Sequence, residues 1–241
     1  MHNTIAIALR EIRSFFATPM SYIVAASFLL ISGFLFAQNL VDVQVANMRG
    51  FFAPASFFLL LLCPALTMRL LAEEQKMGTI ELLLTAPIRD YEVVLGKFLA
   101  SLVMVMGMIF LTLYYVLLLV WIGDPDMGPV FSGYLGLLLL SSALLSVGLL
   151  ASSFTSNQVV AFTVSFGALI LLSVIGGAGS FLGSASWATP VRAVFTYLGI
   201  FNHFTDMVRG VVDTRDVIYY ISFTAGALFL TVRSLEARRW R

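Results

Sequence analysis

The chain has 241 residues, of which 60% are hydrophobic and 11% are charged, whereas soluble domains average about 45–50% apolar and about 25% charged residues. Its formal net charge of +1 argues against a nucleic-acid partner, because such binding depends on a basic excess that neutralises phosphates. The single cysteine, Cys63, excludes a disulfide within the chain and a zinc site built from several thiolates.

Residues 3–17 are predicted to form an amphipathic helix that lies along the membrane surface, because apolar and polar side chains alternate at the helical period. The apolar side consists of Ile5, Ala8, Leu9, Ile12, Phe15 and Phe16. Asn3 or Thr4 is expected as the N-cap, and Pro19 follows the end. A helix packed on a cytosolic domain is the alternative, but no segment of the chain is large enough to form such a domain.

Six stretches of the chain carry no charged residue. They are residues 20–40, 51–68, 98–122, 130–154, 158–182 and 217–232. Charge is excluded from membrane spans because an ionised side chain costs roughly 2.5–3.5 kcal/mol to insert, and about 20 helical residues cross the hydrocarbon core. The sequence therefore predicts an all-α polytopic membrane protein with six transmembrane helices, forming a single domain over residues 1–241.

The distribution of Lys and Arg predicts the orientation of these spans. The N-terminal arm, the loop 69–97 and the C-terminal tail contain ten of these residues, whereas the connections on the other side contain four. Basic residues concentrate on the cytoplasmic side of membrane proteins. Both termini and the loop 69–97 are therefore expected in the cytoplasm, which is an N-in/C-in topology.

The cytosolic loop 69–97 is predicted to form a short, rigid elbow. Residues 69–77 are good helix formers, and Gly78 would stop this helix in the left-handed C′ position. Thr79 could cap a second short helix that Pro87 ends.

The end of the loop leads into span three, where Asp90 is expected to cap the helix and Glu92 lies in its first turn. The second short helix carries an apolar ridge among charged residues. The ridge consists of Ile80, Leu82, Leu83 and Leu84. Such a ridge favours docking to another protein over an ordinary solvated loop.

The same loop resembles a known family. It carries the pattern Glu73-Glu74-x-x-x-Gly78-Thr79-x-Glu81-Leu82-Leu83-x-x-x-Pro87, followed by Glu92-x-x-Leu95-Gly96-Lys97. This pattern is similar to the loop between spans two and three in the ABC-2 family of ABC transporter permease subunits. The outer run 204–220 and the ending 235–240 are most similar to the gliding-motility-associated branch.

The resemblance implies a transporter subunit in the cytoplasmic (inner) membrane of a prokaryote, with the loop acting as the coupling helix that docks on a separate P-loop ATPase. The coupling residues would be Glu73, Glu74, Gly78, Thr79, Glu81, Leu82 and Leu83. The partner would bind ATP and Mg²⁺. A second permease chain and an auxiliary subunit with a periplasmic domain are the other implied partners, besides the lipid bilayer.

The chain has no phosphate-binding loop of its own, since Gly96-Lys97 lacks the upstream glycine and is followed by Phe98. It is therefore not expected to be an enzyme or to hold a cofactor. A metal site is not expected either, because His2 and His203 have no second ligand at the required spacing.

Two other functions remain open at this stage. One is an ATP-driven complex that performs a conformational or mechanical step on a partner protein without moving a solute. The other is an ion-driven secondary transporter, in which Cys63-Pro64 or the glycine-rich end of span five could break a helix, although no intramembrane acid accompanies either feature. An intramembrane protease is weaker still, because Gly78 stands where an arginine should follow Glu73-Glu74.

Small residues are frequent in spans four and five and predict close helix packing, within the chain or between two copies, rather than a pore lining. They are Ser141, Ser142, Ser146, Gly148, Ser165, Gly167, Ser173, Gly179 and Gly183. The outer segment 183–216 is predicted to contain two short helices that dip into the membrane around residues 199–202. By resemblance these helices would cap the pathway, and a simple amphipathic cap is the alternative.

Overall fold

The computed structural model describes residues 2–43, 47–79, 88–178 and 188–239, and the regular structure in these residues is α-helical. The helices are α1 (His2–Ala17), α2 (Pro19–Val43), α3 (Arg49–Lys76), α4 (Asp90–Leu111), α5 (Leu113–Ile122), α6 (Met127–Phe154), α7 (Gln158–Ala178), α8 (Ala188–Leu198), α9 (Asn202–Val208) and α10 (Thr214–Arg239). With α4 and α5 counted as one span, six are long and apolar enough to cross a membrane.

Each charge-free window falls on one of these six spans, the window 98–122 on α4 and α5 together, although the end of 158–182 lies outside the described residues. Several of the helices extend beyond their windows. Span two continues to Lys76 and span six to Arg239, because a helix keeps gaining backbone hydrogen bonds past the first charged residue while long basic side chains reach back to the interface.

Helices α3 and α6 form the centre of the bundle. In their apolar windows 61% and 72% of the residues are buried, against 17% in α7. Their close approach depends on glycine, since a Cβ on Gly148 would overlap the Thr67 hydroxyl and one on Gly133 would overlap the Phe52 ring. These contacts confirm that small residues of span four serve packing within the chain.

Span three is interrupted at Thr112, which separates α4 from α5. The Thr112 carbonyl accepts hydrogen bonds from the Tyr134 hydroxyl at 3.0 Å and from the Tyr115 amide at 2.9 Å. Tyr134 lies on α6 and is buried. The backbone group at the interruption is therefore satisfied by a neighbouring helix, as a break at membrane depth requires.

Helix α1 packs along α4. A Cβ on Gly96 would come within 2.8 Å of the Ile7 side chain and 3.0 Å of the Thr4 carbonyl. The helix already begins at His2, so the expectation that Asn3 or Thr4 is the N-cap is wrong, because both residues lie within the first turns. Of the predicted apolar face, Ala8 and Phe15 are buried, whereas Ile5, Leu9 and Phe16 are half exposed.

The prediction of two short helices between spans five and six is confirmed by α8 and α9, which are joined by residues 199–201. Their position in the outer leaflet stays a prediction. The Asn202 side-chain amide donates to the Thr196 carbonyl at 2.8 Å and to the Gly176 carbonyl at 3.3 Å. Gly199 and Gly176 are in contact, with no room for a Cβ on either residue. The turn between α8 and α9 is thus fixed against the end of α7.

Candidate functional site

The two ends of the loop 69–97 lie at the same end of the bundle, here called the loop end. Helix α3 ends at Lys76, and Gly78 adopts a φ of +70°. The Met77 amide donates to the Glu73 carbonyl at 2.9 Å. The left-handed C′ glycine predicted from the sequence is therefore confirmed, because L side chains rarely adopt this conformation.

Helix α4 begins one residue earlier than expected. Its N-cap is Arg89, and Asp90 is the first helical residue, so the assignment of Asp90 as the cap is wrong. The Glu92 carboxylate performs the capping, since it accepts a hydrogen bond from the Arg89 amide at 3.2 Å. It also accepts one from the Asn3 side chain at 3.2 Å, which ties α1 to this helix start.

An ion cluster joins α1, α3 and α4 at the loop end. The Lys97 ammonium lies 2.8 Å from Oε1 of Glu74 and 3.0 Å from Oε1 of Glu11. The Arg10 guanidinium lies 3.2 Å and 3.0 Å from the same two oxygens. Because Glu74 lies near the start of the loop 69–97 and Lys97 is its last residue, the cluster holds both ends of the loop against α1.

Burial makes this cluster energetically important. The Lys97 side chain is 1% exposed, and those of Glu11 and Glu74 are 14% and 16% exposed. Oε2 of Glu74 is buried without a hydrogen-bond partner among the described residues. Buried charges depend on their partners, so loss of one member leaves the others uncompensated.

The pKa of the Glu11 carboxyl is set by two opposing effects, burial and the attraction of nearby positive charges. Burial by itself raises its pKa, but the charge and hydrogen bond of Lys97, together with those of Arg10, outweigh this effect and hold the pKa below its usual value. The ionised form is therefore the one that the folded cluster favours.

We expect the stability contributed by Glu11 to be complete above its unfolded pKa of about 4.3 and to disappear as the pH falls through the lowered folded pKa. Thermal unfolding of the purified protein between neutral and acidic pH measures this contribution. The wild type should lose more of its stability below about pH 4.3 than Glu11→Gln, which has no carboxyl to protonate. Parallel pH profiles of the two proteins would contradict the assignment.

A second set of contacts links the loop end to α6. The Gln75 side-chain amide donates to the carbonyl of Ser153 at 2.9 Å. The Ser152 hydroxyl accepts from the amides of Leu71 and Ala72 and donates to the Met68 carbonyl at 3.0 Å. A hydroxyl that bonds the backbone of a neighbouring helix at three places fixes the end of α3 to α6.

A cavity of about 790 Å³ opens among α1, α3 and the start of α4. The side chains lining it include all four members of the ion cluster and Arg69. Arg69 lies over the Phe15 ring at 4.8 Å and donates to the Ser21 hydroxyl at 3.2 Å. Four charges of the cluster and a further arginine thus converge beside the loop.

The structure places only some of the coupling residues named from the sequence. Glu73 is exposed, Glu74 belongs to the ion cluster, and the Thr79 hydroxyl donates to the Glu74 carbonyl at 3.3 Å. Glu81, Leu82 and Leu83 lie outside the described residues, as does the predicted second short helix. Sequence reasoning did not assign functions to Lys97, Glu11 or Arg10, although Lys97 stands in the family pattern.

The opposite end of the bundle has a smaller polar cluster that sequence reasoning also missed. His203 Nδ1 lies 2.6 Å from Oδ1 of Asp216, and Nε2 lies 2.9 Å from the Tyr197 carbonyl. A carbonyl only accepts, so Nε2 carries a proton, and the Tyr219 ring stacks on the imidazole at 4.0 Å. In the described part of the chain no three His, Cys, Asp or Glu side chains group as metal ligands do.

Comparison with known families identifies the class of protein. The family described as "ABC-2 family transporter protein" matches residues 5–232. The chain belongs to this family. The sequence-based prediction of an ABC-2 permease is therefore confirmed, while its gliding-motility branch stays a prediction. No curated protein matches the chain.

Membership of the ABC-2 family shows which component of a transporter this chain is. ABC-2 chains are the membrane components of ABC transporters, which implies a partnering ATPase. Together with the six apolar helices, membership makes this chain a multi-pass membrane protein of a transporter. The permease component is consistent with the prediction that the chain is not itself an enzyme.

Proposed function

We propose that this ABC-2 chain is a permease subunit that couples ATP hydrolysis by a separate P-loop ATPase to movement of a substrate across or out of the membrane. The loop 69–97 would receive the movement of the ATPase. The observation that carries this proposal is the ion pair between Glu74 and Lys97, 2.8 Å apart, which joins the two ends of the loop inside the protein.

The loop end can pass movement to several spans because each contact there joins different helices. Lys97 connects α4 with α3 through Glu74 and with α1 through Glu11. Gln75 connects α3 with α6. A force on the loop would therefore displace α1, α3, α4 and α6 together, and Glu74 would act through the cluster rather than by touching the ATPase.

The orientation and the assembly belong to the same proposal. The distribution of basic residues supports a loop end in the cytoplasm, with both termini inside. A second permease chain would pack on α7, where 17% of the apolar window is buried and Gly167 faces open space. The branch resemblance supports an inner membrane of a prokaryote and an auxiliary subunit with a periplasmic domain.

The outer helices would close the far side of the pathway. Helices α8 and α9 are fixed to α7 through Asn202 and to α10 through the pair of His203 and Asp216. Their amphipathic sequences suit a position in the outer leaflet. A change in the tilt of α7 or α10 would move this cap.

The test is to isolate the intact chain from its native membrane in mild detergent and to identify what co-purifies. We expect a stoichiometric P-loop ATPase and ATP hydrolysis in the complex. Glu81→Lys should release the ATPase several-fold, because it reverses a charge of the proposed docking segment. Glu236→Lys is the matched control, since it makes the same charge change at a half-exposed site on the C-terminal tail.

The proposal fails if no ATPase co-purifies under mild conditions. It also fails if Glu81→Lys and Glu236→Lys retain the ATPase equally. Insertion of both variants is checked by their yield in the membrane fraction.

A further inference from the structure

An apolar groove runs along α4 beneath the N-terminal helix. It has a volume of about 400 Å³ and is lined by α1, α2 and α4. The lining includes the small residues Ala25, Ala100 and Gly107 and the rings of Phe16 and Tyr22. A Cβ on Gly107 would meet no atom within 4 Å, so this glycine leaves space that a side chain would fill.

The walls of the groove are held in place by contacts within the protein. The Tyr22 hydroxyl donates to the Phe16 carbonyl at 2.9 Å, and the two rings meet edge to face with their centroids 6.5 Å apart. The hydroxyl of Tyr22 is the single side-chain polar group among the lining residues, and it is already bonded. The groove therefore suits a hydrocarbon chain and offers nothing to a polar ligand.

The length of the groove matches one leaflet of a bilayer. It extends along α4 from Ala100 to Leu111, about 16 Å at the helical rise of about 1.5 Å per residue. Half of the hydrocarbon core is about 15 Å thick. Ala100 is one turn from Lys97, so the groove begins at the loop end and stops near the middle of the membrane.

A positive charge stands beside the groove. Arg13 does not line the groove, but it precedes the lining residue Phe16 by three positions, and residues at this spacing are neighbours on a helix surface. It is exposed and forms no ion pair among the described residues. Arg10, by contrast, is bound to Glu11 and Glu74, so Arg13 is the guanidinium of α1 that is free to bind an anion.

We propose that this groove binds one acyl chain of an anionic phospholipid from the leaflet at the loop end, with the lipid phosphate at Arg13. The site requires that the chain spans a membrane but does not depend on the ATPase. Failure of the coupling proposal would leave it intact, and its own failure would leave coupling intact.

The experiment uses the intact chain, purified in mild detergent and reconstituted in vesicles of phosphatidylcholine that contain phosphatidylglycerol with a photoreactive group on its acyl chain. After irradiation, labelled peptides are mapped by mass spectrometry. We expect labelling of residues 12–16 and 103–111 to exceed labelling of the exposed faces of α7 and α10 several-fold. A photoreactive phosphatidylcholine at the same level should label the groove several-fold less.

Two variants test the site itself. Gly107→Leu fills the groove and should reduce its labelling several-fold, whereas Gly226→Leu, at a glycine that also faces open space on α10, should not. Arg13→Gln should remove the preference for phosphatidylglycerol and leave labelling by phosphatidylcholine unchanged. Val103→Phe, at a half-exposed wall position, replaces Gly107→Leu if that variant unfolds.

Uniform labelling around the protein would overturn the proposal, because it would mean that lipid covers the groove as it covers any other face. Equal labelling by the two lipids would overturn the assignment to an anionic headgroup. Unchanged labelling in both groove-filling variants would overturn the location.

Discussion

Replacing Lys97 with methionine should destabilise the protein by about 3–5 kcal/mol, the usual cost of removing one partner of a buried ion pair. Its ammonium lies between the carboxylates of Glu11 and Glu74, and its side chain is 1% exposed. Without it, two carboxylates remain close together with only Arg10 to compensate them. Thermal unfolding of the purified protein in a mild detergent measures the loss.

The matching control is Lys76→Met, which removes the same charge from an exposed residue at the end of α3 and should change stability little. A triple variant that combines Lys97→Met with Glu11→Gln and Glu74→Gln should regain much of the lost stability, because the one charge left in the cluster, that of Arg10, is on a side chain that is 58% exposed. A single Lys97→Met variant as stable as Lys76→Met would show that the cluster does not hold the loop ends together.

Gly78→Val should abolish the coupling of ATP hydrolysis to transport while leaving insertion intact. Valine in the left-handed region costs about 1–2 kcal/mol, and the φ of +70° at this position cannot be kept cheaply. No atom lies within 4 Å of a Cβ built at Gly78, so the effect comes from the backbone and not from a clash. The measurement is ATP-driven transport per ATP hydrolysed in vesicles that contain the complex.

Gly78→Asn separates conformation from side-chain size. Asparagine adopts the left-handed conformation more readily than other side chains, so this variant should retain most of the coupling. If the valine and asparagine variants coupled equally well, the direction in which the chain leaves α3 would have no part in coupling.

The spans could be predicted from the sequence because the cost of burying charge is large and acts on each residue separately. Each of the six windows falls on an apolar helix. The ends of the spans were harder to predict where no stop signal stands in the sequence, since the last helix continues past Arg233 and Glu236 to Arg239. The predicted N-caps at Asn3 and Asp90 were wrong, because tertiary contacts, such as the hydrogen bond between Asn3 and Glu92, compete with the local preferences of the sequence.

The ion cluster could not be predicted because its members are distant in sequence. Glu11 and Lys97 are 86 residues apart, and nothing in their local patterns distinguishes them from charges that face solvent. The same holds for His203 and Asp216, where an intervening turn brings the ring and the carboxylate together. The left-handed conformation of Gly78 could be predicted, because the preference for glycine at the end of a helix depends on the backbone of that single position.

The interruption at Thr112 divides span three into two lengths of helix that need not move as one body. The loop-end length, α4, is packed on α1 at Gly96 and tied to it through Lys97. The carbonyl at the interruption is held by Tyr134 of α6. A tilt of α4 that starts at the loop would therefore be transmitted to α6 near the middle of the membrane. Helix α5 would keep its position in the opposite leaflet.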